Sequence, residues 1–144
     1  MHKDFAIIRE LELAIQKKTD SLDSISHLSI PKLTDLTYIP LLYRWCREIA
    51  DLDRISKKEF KRRFMFIVFF LYSPSVLAGD KRTINGIRCV LAEILDYHAP
   101  SAISNSIPSI IADYKNYTDF RVAVGDMYTR VLERLEGQGI IVGI

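Results

Sequence analysis

The feature that most constrains the fold is an unbroken apolar run in the middle of the chain, from Phe64 to Leu71. Directly before it, Ser56-Lys57-Lys58-Glu59 has the S-x-x-E form of a helix capping box. The apolar residues alone allow a buried helix or a buried strand, and the capping box favours the helix. With Tyr72 the run has nine residues, far short of the roughly 20 that a membrane-spanning helix needs. A helix that is apolar on all sides is expected at the centre of a bundle, so we predict a central helix over 57–72.

The rest of the chain has the three- and four-residue apolar spacing of amphipathic helices. The predicted helices cover about 4–18, 38–51, 83–97, 100–115 and 118–136. A length of 144 residues favours one domain. We therefore predict an all-α, five- or six-helix bundle over 1–144, in which 1–35 is an N-terminal helix and loop that joins the bundle or forms an appendage. The apolar tail 140–144 packs back on the core or contacts a partner chain.

The charged side chains are unevenly distributed along the chain. The formal net charge is only +2, but residues 57–88 hold eight basic against two acidic side chains, and both flanks are net negative. The basic residues of this segment are Lys57, Lys58, Lys61, Arg62, Arg63, Lys81, Arg82 and Arg88. Such an asymmetry is expected for a protein that binds a polyanion such as nucleic acid or an anionic membrane surface. A solvated helix end that keeps the protein in solution is the alternative.

The sequence does not indicate catalysis or a cofactor. His2, His27 and His98 are isolated, and neither cysteine has a ligand partner at zinc spacing. Cys46 and Cys89 are predicted to be small core residues. A glycine-rich phosphate loop is absent, and no pair of carboxylates stands out. We expect a protein that is not an enzyme and holds no metal or cofactor; because its first residues do not resemble a signal peptide, we expect it in the cytoplasm.

The segment from Arg88 to Ile107, within a unit of 83–115, joins two predicted helices through a short turn. It resembles the helix-turn-helix of DNA-binding regulators, in which a small residue lies where the second helix crosses the first. Ala92 matches this small position. The matching core positions are Leu91 and Leu95 in the first helix and Ile103 and Ile107 in the second.

Three residues depart from the family pattern. Asp96 occupies a turn position that usually holds glycine, and His98 is a one-residue insertion. Pro108 removes a backbone donor and is expected to bend the second helix just beyond the motif.

The resemblance implies that the chain binds double-stranded DNA as a regulator or mobile-element accessory protein. Ser101, Ser104 and Asn105 then face the major groove, where asparagine can pair with adenine. The second helix has no Lys or Arg before Lys115, so the phosphate contacts must come from elsewhere. The eight basic residues of 57–88 are the candidates, and Arg88 belongs to the first helix, which normally crosses the DNA backbone.

Helix-turn-helix proteins usually bind as dimers to two half-sites. We expect a homodimer through residues 118–136, where Val124, Met127, Val131 and Leu135 form an apolar stripe; the N-terminal helix is the rival element. The alternative function is an all-helical oligomerisation or adaptor protein with no nucleic-acid role. The two functions differ in whether 57–63, 81–88 and 101–109 share one exposed face.

Overall fold

The computed structural model of the chain describes residues 2–17, 30–80 and 83–141. Within these ranges it contains six α-helices and no β-strand, which confirms the all-α prediction. The helices are α1 (Ala6–Lys17), α2 (Ile39–Ile49), α3 (Lys57–Tyr72), α4 (Ile87–Ile94), α5 (Pro100–Asn116) and α6 (Thr118–Gly137). Short 3-10 helices lie at Lys3–Phe5, Leu36–Tyr38 and Pro74–Ala78. None of the helices described is long and apolar enough to cross a membrane.

Helix α3 is the central helix that the apolar run predicts. Ser56 is its N-cap, and the Ser56 hydroxyl oxygen accepts from the Glu59 backbone N–H at 3.1 Å. Every side chain from Phe64 to Tyr72 is buried. The other half of the predicted capping box differs, because the Glu59 carboxylate accepts from Arg63 Nε at 3.0 Å. The serine cap is therefore the part of the motif that begins the helix.

The segment after α3 belongs to the core. The sequence predicts a short link over 75–80, but Pro74–Ala78 is a 3-10 helix whose Val76 and Leu77 are buried. It packs against α1, α3 and α5. The backbone N–H of Leu33 donates to the Leu71 carbonyl at 3.1 Å, so the chain before α2 is also fixed to the end of α3.

The N-terminal residues that the structure describes pack into the same core. The Phe5 ring lies 5.1 Å from the Phe66 ring and 4.7 Å from the Phe70 ring, measured between centroids. The Tyr128 hydroxyl donates to the Asp4 carboxylate at 2.9 Å. Residues 2–13 are therefore part of the bundle and not an appendage, while 18–29 lie outside the described residues.

The apolar stripe of α6 is buried inside the chain itself. Val124, Met127, Val131 and Leu135 are at most 3% exposed, and α6 packs on α2, α3 and α5. The homodimer prediction over 118–136 rested on this stripe, so its physical basis was wrong. An apolar stripe predicts that a helix face is buried, but not which chain covers it. The α6 side chains that remain exposed include Val122, at 57%.

The predicted helix over 83–97 is shorter at both ends in the structure, where α4 covers Ile87–Ile94. The sequence predicts a helix from about Thr83, but α4 begins at Ile87 because Gly86 has a φ of +90°. In the C-terminal tail, Ile140 and Ile141 pack against the core, and 142–144 lie outside the described residues.

Candidate nucleic-acid interface

A tight turn joins α4 to α5. Asp96 has a φ of +62°, and it is the one non-glycine residue with positive φ in the part of the chain that the structure describes. The backbone N–H of Tyr97 donates to the Ala92 carbonyl at 2.8 Å, and that of Asp96 to the Glu93 carbonyl at 3.3 Å. These two bonds around a left-handed residue form a Schellman motif, which ends α4. Asp96 therefore has the backbone conformation that glycine adopts most readily.

The inner faces of the two helices pack together as the motif predicts. Leu91, Ala92, Leu95 and Ile103 are all buried. Ile107, which was expected to point inward beside them, is partly buried and packs against the core. It lines an open cleft next to Pro108.

The outer face of the first half of α5 carries the three predicted base-contacting residues. Ser101 and Asn105 are exposed, and Ser104 is partly buried. Successive residues of an α-helix are about 100° apart, so Ser101 and Asn105 lie opposite the buried Ile103 and Ile110. Ser104 lies toward one edge of this outer face. The three side chains are small and polar, and no long side chain stands between them on the helix.

The cleft runs along the edge of α5 that includes Ser104. Its volume is about 610 Å³. It is lined by Val76, Gly79, Asp80, Arg88, Ser104, Ile107, Pro108 and Ile111. Arg88 of α4 therefore lies beside the outer face of α5. Lys81 and Arg82, the other two predicted phosphate contacts near this edge, lie outside the described residues.

The basic residues at the start of α3 are three lysines and two arginines, and the two kinds have different surroundings. Lys57 and Lys58 are exposed. The ammonium of Lys61 lies 4.7 Å from the centroid of the Tyr97 ring, which places the start of α3 next to the α4–α5 turn. Arg62 and Arg63 instead pair with carboxylates. Arg63 Nε donates to Glu59 within the same helix, at 3.0 Å.

Arg62 connects α3 to α5. Its Nε donates to Asp113 Oδ2 at 2.8 Å, its Nη2 donates to the same oxygen, and Nη2 also donates to the Ser109 carbonyl at 3.1 Å. The Arg62 and Asp113 side chains are 19% and 18% exposed. Arg62 is therefore not the exposed cation that the sequence predicts. Sequence patterns do not mark Asp113 as its partner, because the two residues are 51 positions apart.

The two basic regions lie on opposite flanks of α5. Helix α3 contacts the flank that carries Ser109 and Asp113. Arg88 lies on the flank that carries Ser104 and Ile107. At about 100° per residue, these flanks are on either side of the outer face. The outer face of α5 therefore runs between the lysines of α3 and the arginine of α4.

The described residues also bear on metal ligation and on thiol reactivity. Within 2–17, 30–80 and 83–141, no group of three or more His, Cys, Asp and Glu side chains could hold a metal ion. Burial raises the pKa of the Cys46 thiol to about 12, so this thiol stays protonated and unreactive. The prediction that both cysteines are core residues is right for Cys46 and wrong for Cys89, which is exposed on α4.

Comparison with known proteins adds no relative to this description. No protein-family model matches the chain, and no curated protein or solved structure matches it either.

Proposed function

We propose that this protein binds double-stranded DNA, with the first half of α5 in the major groove. The observation that carries the proposal is the position of the outer face of α5, which has small polar side chains and lies between the lysines of α3 and Arg88 of α4. The left-handed Asp96 supports it, because a sharp turn of this kind holds the second helix of a helix-turn-helix against the first. The protein acts in the cytoplasm, as a regulator or an accessory to a mobile element.

Base contacts come from Ser101, Ser104 and Asn105. Their short side chains allow the α5 backbone to approach the floor of the groove, and the Asn105 amide can donate and accept at adenine N6 and N7. Ser104 lies at the edge of the cleft, so it contacts a base toward the Arg88 side. Specificity is then modest, because serine hydroxyls pair with several bases.

Phosphate contacts come from Lys57, Lys58 and Lys61 on the α3 flank. Arg88, a partly buried side chain that lines the cleft with Asp80, is the candidate on the other flank. Lys81 and Arg82 remain predictions for the Arg88 side. Arg62 and Arg63 are left out of this set, because carboxylates hold both guanidinium groups. Because phosphate contacts supply most of the non-specific affinity, binding should weaken steeply as salt is added.

We extend the proposal to a homodimer, since one helix-turn-helix reads few base pairs. The buried stripe of α6 cannot serve as its interface. The outer face of α6, where Val122 is exposed, is the remaining surface of residues 118–136. The molar mass in solution, measured by light scattering with and without a DNA site, tests this part of the proposal separately.

An adaptor function is the second candidate, and the cleft beside α5 is the observation that favours it. Ile107, Pro108 and Ile111 line this cleft with apolar surface, which a protein partner could cover. In this function the lysines of α3 serve only as a solvated helix end. DNA binding and its salt dependence separate the two candidates.

The test is the fluorescence anisotropy of a labelled duplex of random sequence, titrated at several salt concentrations. The variant Lys57→Gln/Lys58→Gln removes two exposed charges of α3. The log–log salt slope is expected to decrease by ~0.9 for each phosphate that the variant no longer neutralises. If the protein fails to bind the duplex at every salt concentration tested, this result supports the adaptor function instead.

The control variant is Lys3→Gln/Lys32→Gln, which changes the net charge equally. Both lysines are exposed. Lys32 lies near Phe70, toward the end of α3. Phe70 is thirteen residues along α3 from Lys57, which is roughly 20 Å at about 1.5 Å per residue. Lys32 is therefore far from the lysines at the start of α3. The salt slope of this variant should stay close to that of the wild type. An equal decrease in both variants would show a general charge effect and not a defined contact surface.

A further inference from the structure

Pro108 divides α5 into two halves. A proline has no backbone N–H, so the Ser104 carbonyl lacks its usual helical donor. Nearby, the Ser106 hydroxyl donates to the Ala102 carbonyl at 2.8 Å and the Ser109 hydroxyl to the Ser106 carbonyl at 2.9 Å. Hydroxyls that bond to backbone oxygens in this way tend to bend helices. Because α5 nevertheless runs as one continuous helix from Pro100 to Asn116, the contacts that hold its second half also orient its first half.

Arg62 holds the second half of α5. Its guanidinium donates to the Asp113 carboxylate and to the Ser109 carbonyl, and both acceptors lie beyond Pro108. The planar guanidinium fixes the direction of each N–H, so two acceptors on one helix set its distance and its rotation. The pair is mostly buried, which limits screening by salt.

The same arginine links the two parts of the proposed interface. Arg62 lies about one turn along α3 from Lys58, and its acceptors Ser109 and Asp113 lie in α5 beyond the base-contacting half. DNA binding requires phosphate and base contacts to form at the same time. The spacing between these parts must therefore be held to a fraction of an ångström.

We propose that Arg62 is a positioning residue for DNA recognition and not a phosphate contact. It fixes the first half of α5 relative to the lysines of α3, so that both engage one duplex. This inference rests on the proposed function. It differs from the sequence-based prediction, in which Arg62 adds to the charge that attracts DNA.

The variant Asp113→Asn separates positioning from electrostatics. It makes the protein more positive, so a purely electrostatic role for Arg62 predicts tighter binding and a steeper salt slope. Positioning predicts weaker binding to a selected duplex, with almost no change on a random duplex. Arg62→Gln should have the same effect, and the double variant should be no worse than either single one, because the three changes break one interaction.

The readout is the ratio of affinities for a selected duplex and a random duplex, measured where circular dichroism shows each variant to be folded. We expect this ratio to fall about tenfold in all three variants, within the range of coupling through a shared ion pair. The salt slope on the random duplex should stay unchanged. A merely structural role would lower the melting temperature and leave the ratio unchanged.

Three results would overturn the inference. The first is an unchanged ratio in Arg62→Gln with a slope lower by ~0.9, which would make Arg62 a phosphate contact. The second is an unchanged ratio and slope in both single variants, although the wild type selects a sequence. The third is a wild-type protein that selects no sequence, which would overturn the proposed function as well.

Discussion

The second half of α3 and the outer face of α5 have opposite surroundings. Every side chain from Phe64 to Tyr72 is buried, whatever its direction around the helix. On α5, Ser101 and Asn105 point away from the core and contribute little to packing. Stability and the proposed recognition are therefore carried by different residues. Substitutions in the first region should change folding, and substitutions in the second should change binding alone.

The largest expected effect is that of Phe66→Ala in α3. The Phe66 ring lies 5.1 Å from Phe5, 5.2 Å from Tyr114 and 5.8 Å from Phe120, and the side chain is fully buried. Truncation should lower the free energy of unfolding by about 3–5 kcal/mol, because it removes apolar burial and leaves a cavity. Urea denaturation measures this change. Val122→Ala is the exposed control, and a decrease of the same size in both variants would contradict the central position of α3.

A smaller effect is expected at the turn before α5. Asp96 has a φ of +62°, which a β-branched residue adopts only with strain. Asp96→Val should therefore lower the free energy of unfolding by about 1–2 kcal/mol. Asp96→Gly should stay within about 1 kcal/mol of the wild type, since glycine fits this φ but has more freedom when unfolded. Equal stability of the two variants would show that the turn is not left-handed.

The outer face of α5 should contribute almost nothing to stability. Ser104→Ala/Asn105→Ala is expected to change the free energy of unfolding by no more than about 0.5 kcal/mol. The same variant should bind a selected duplex more weakly, by about 1–3 kcal/mol for each good base contact that it can no longer make. Urea denaturation and anisotropy on the same preparation measure both quantities. A large decrease in stability would mean that these side chains pack, and would contradict the comparison with α3.

The two cysteines give the smallest change, which is in reactivity and not in stability. Cys89 is exposed, while the buried Cys46 thiol has its pKa raised to about 12. A thiol reagent at neutral pH should label Cys89 quickly and Cys46 only after denaturation. Cys89→Ser should abolish the fast phase. Fast labelling that persists in this variant would show that the α2 side of the core is open.

The sequence predicts well those features that depend on neighbouring residues. The Ser56 cap, the buried run after it and the start of α5 at Pro100 are local patterns, and the structure has all three. Burial in α3 follows from composition, because an apolar helix has no polar face to expose. The all-α class follows from the three- and four-residue spacing of apolar residues in the other helices.

The sequence does not predict which surfaces meet. Asp113 is far from Arg62 along the chain, so a count of basic residues treats a paired guanidinium as an exposed one. The α6 stripe is a similar case, since its pattern fits a dimer and a monomer core equally well. Val76 and Leu77 look like part of a link, and only the packing of α1, α3 and α5 around them makes them core residues.

The central claim is that the outer face of α5 reads the sequence of a DNA duplex. Selection from a random duplex pool over several rounds tests it most directly, with folding checked by circular dichroism. The account predicts that the wild type enriches a short motif and that Ser104→Ala/Asn105→Ala, though folded, enriches it weakly or not at all. A pool that stays random with folded wild-type protein would contradict the claim and leave the adaptor function.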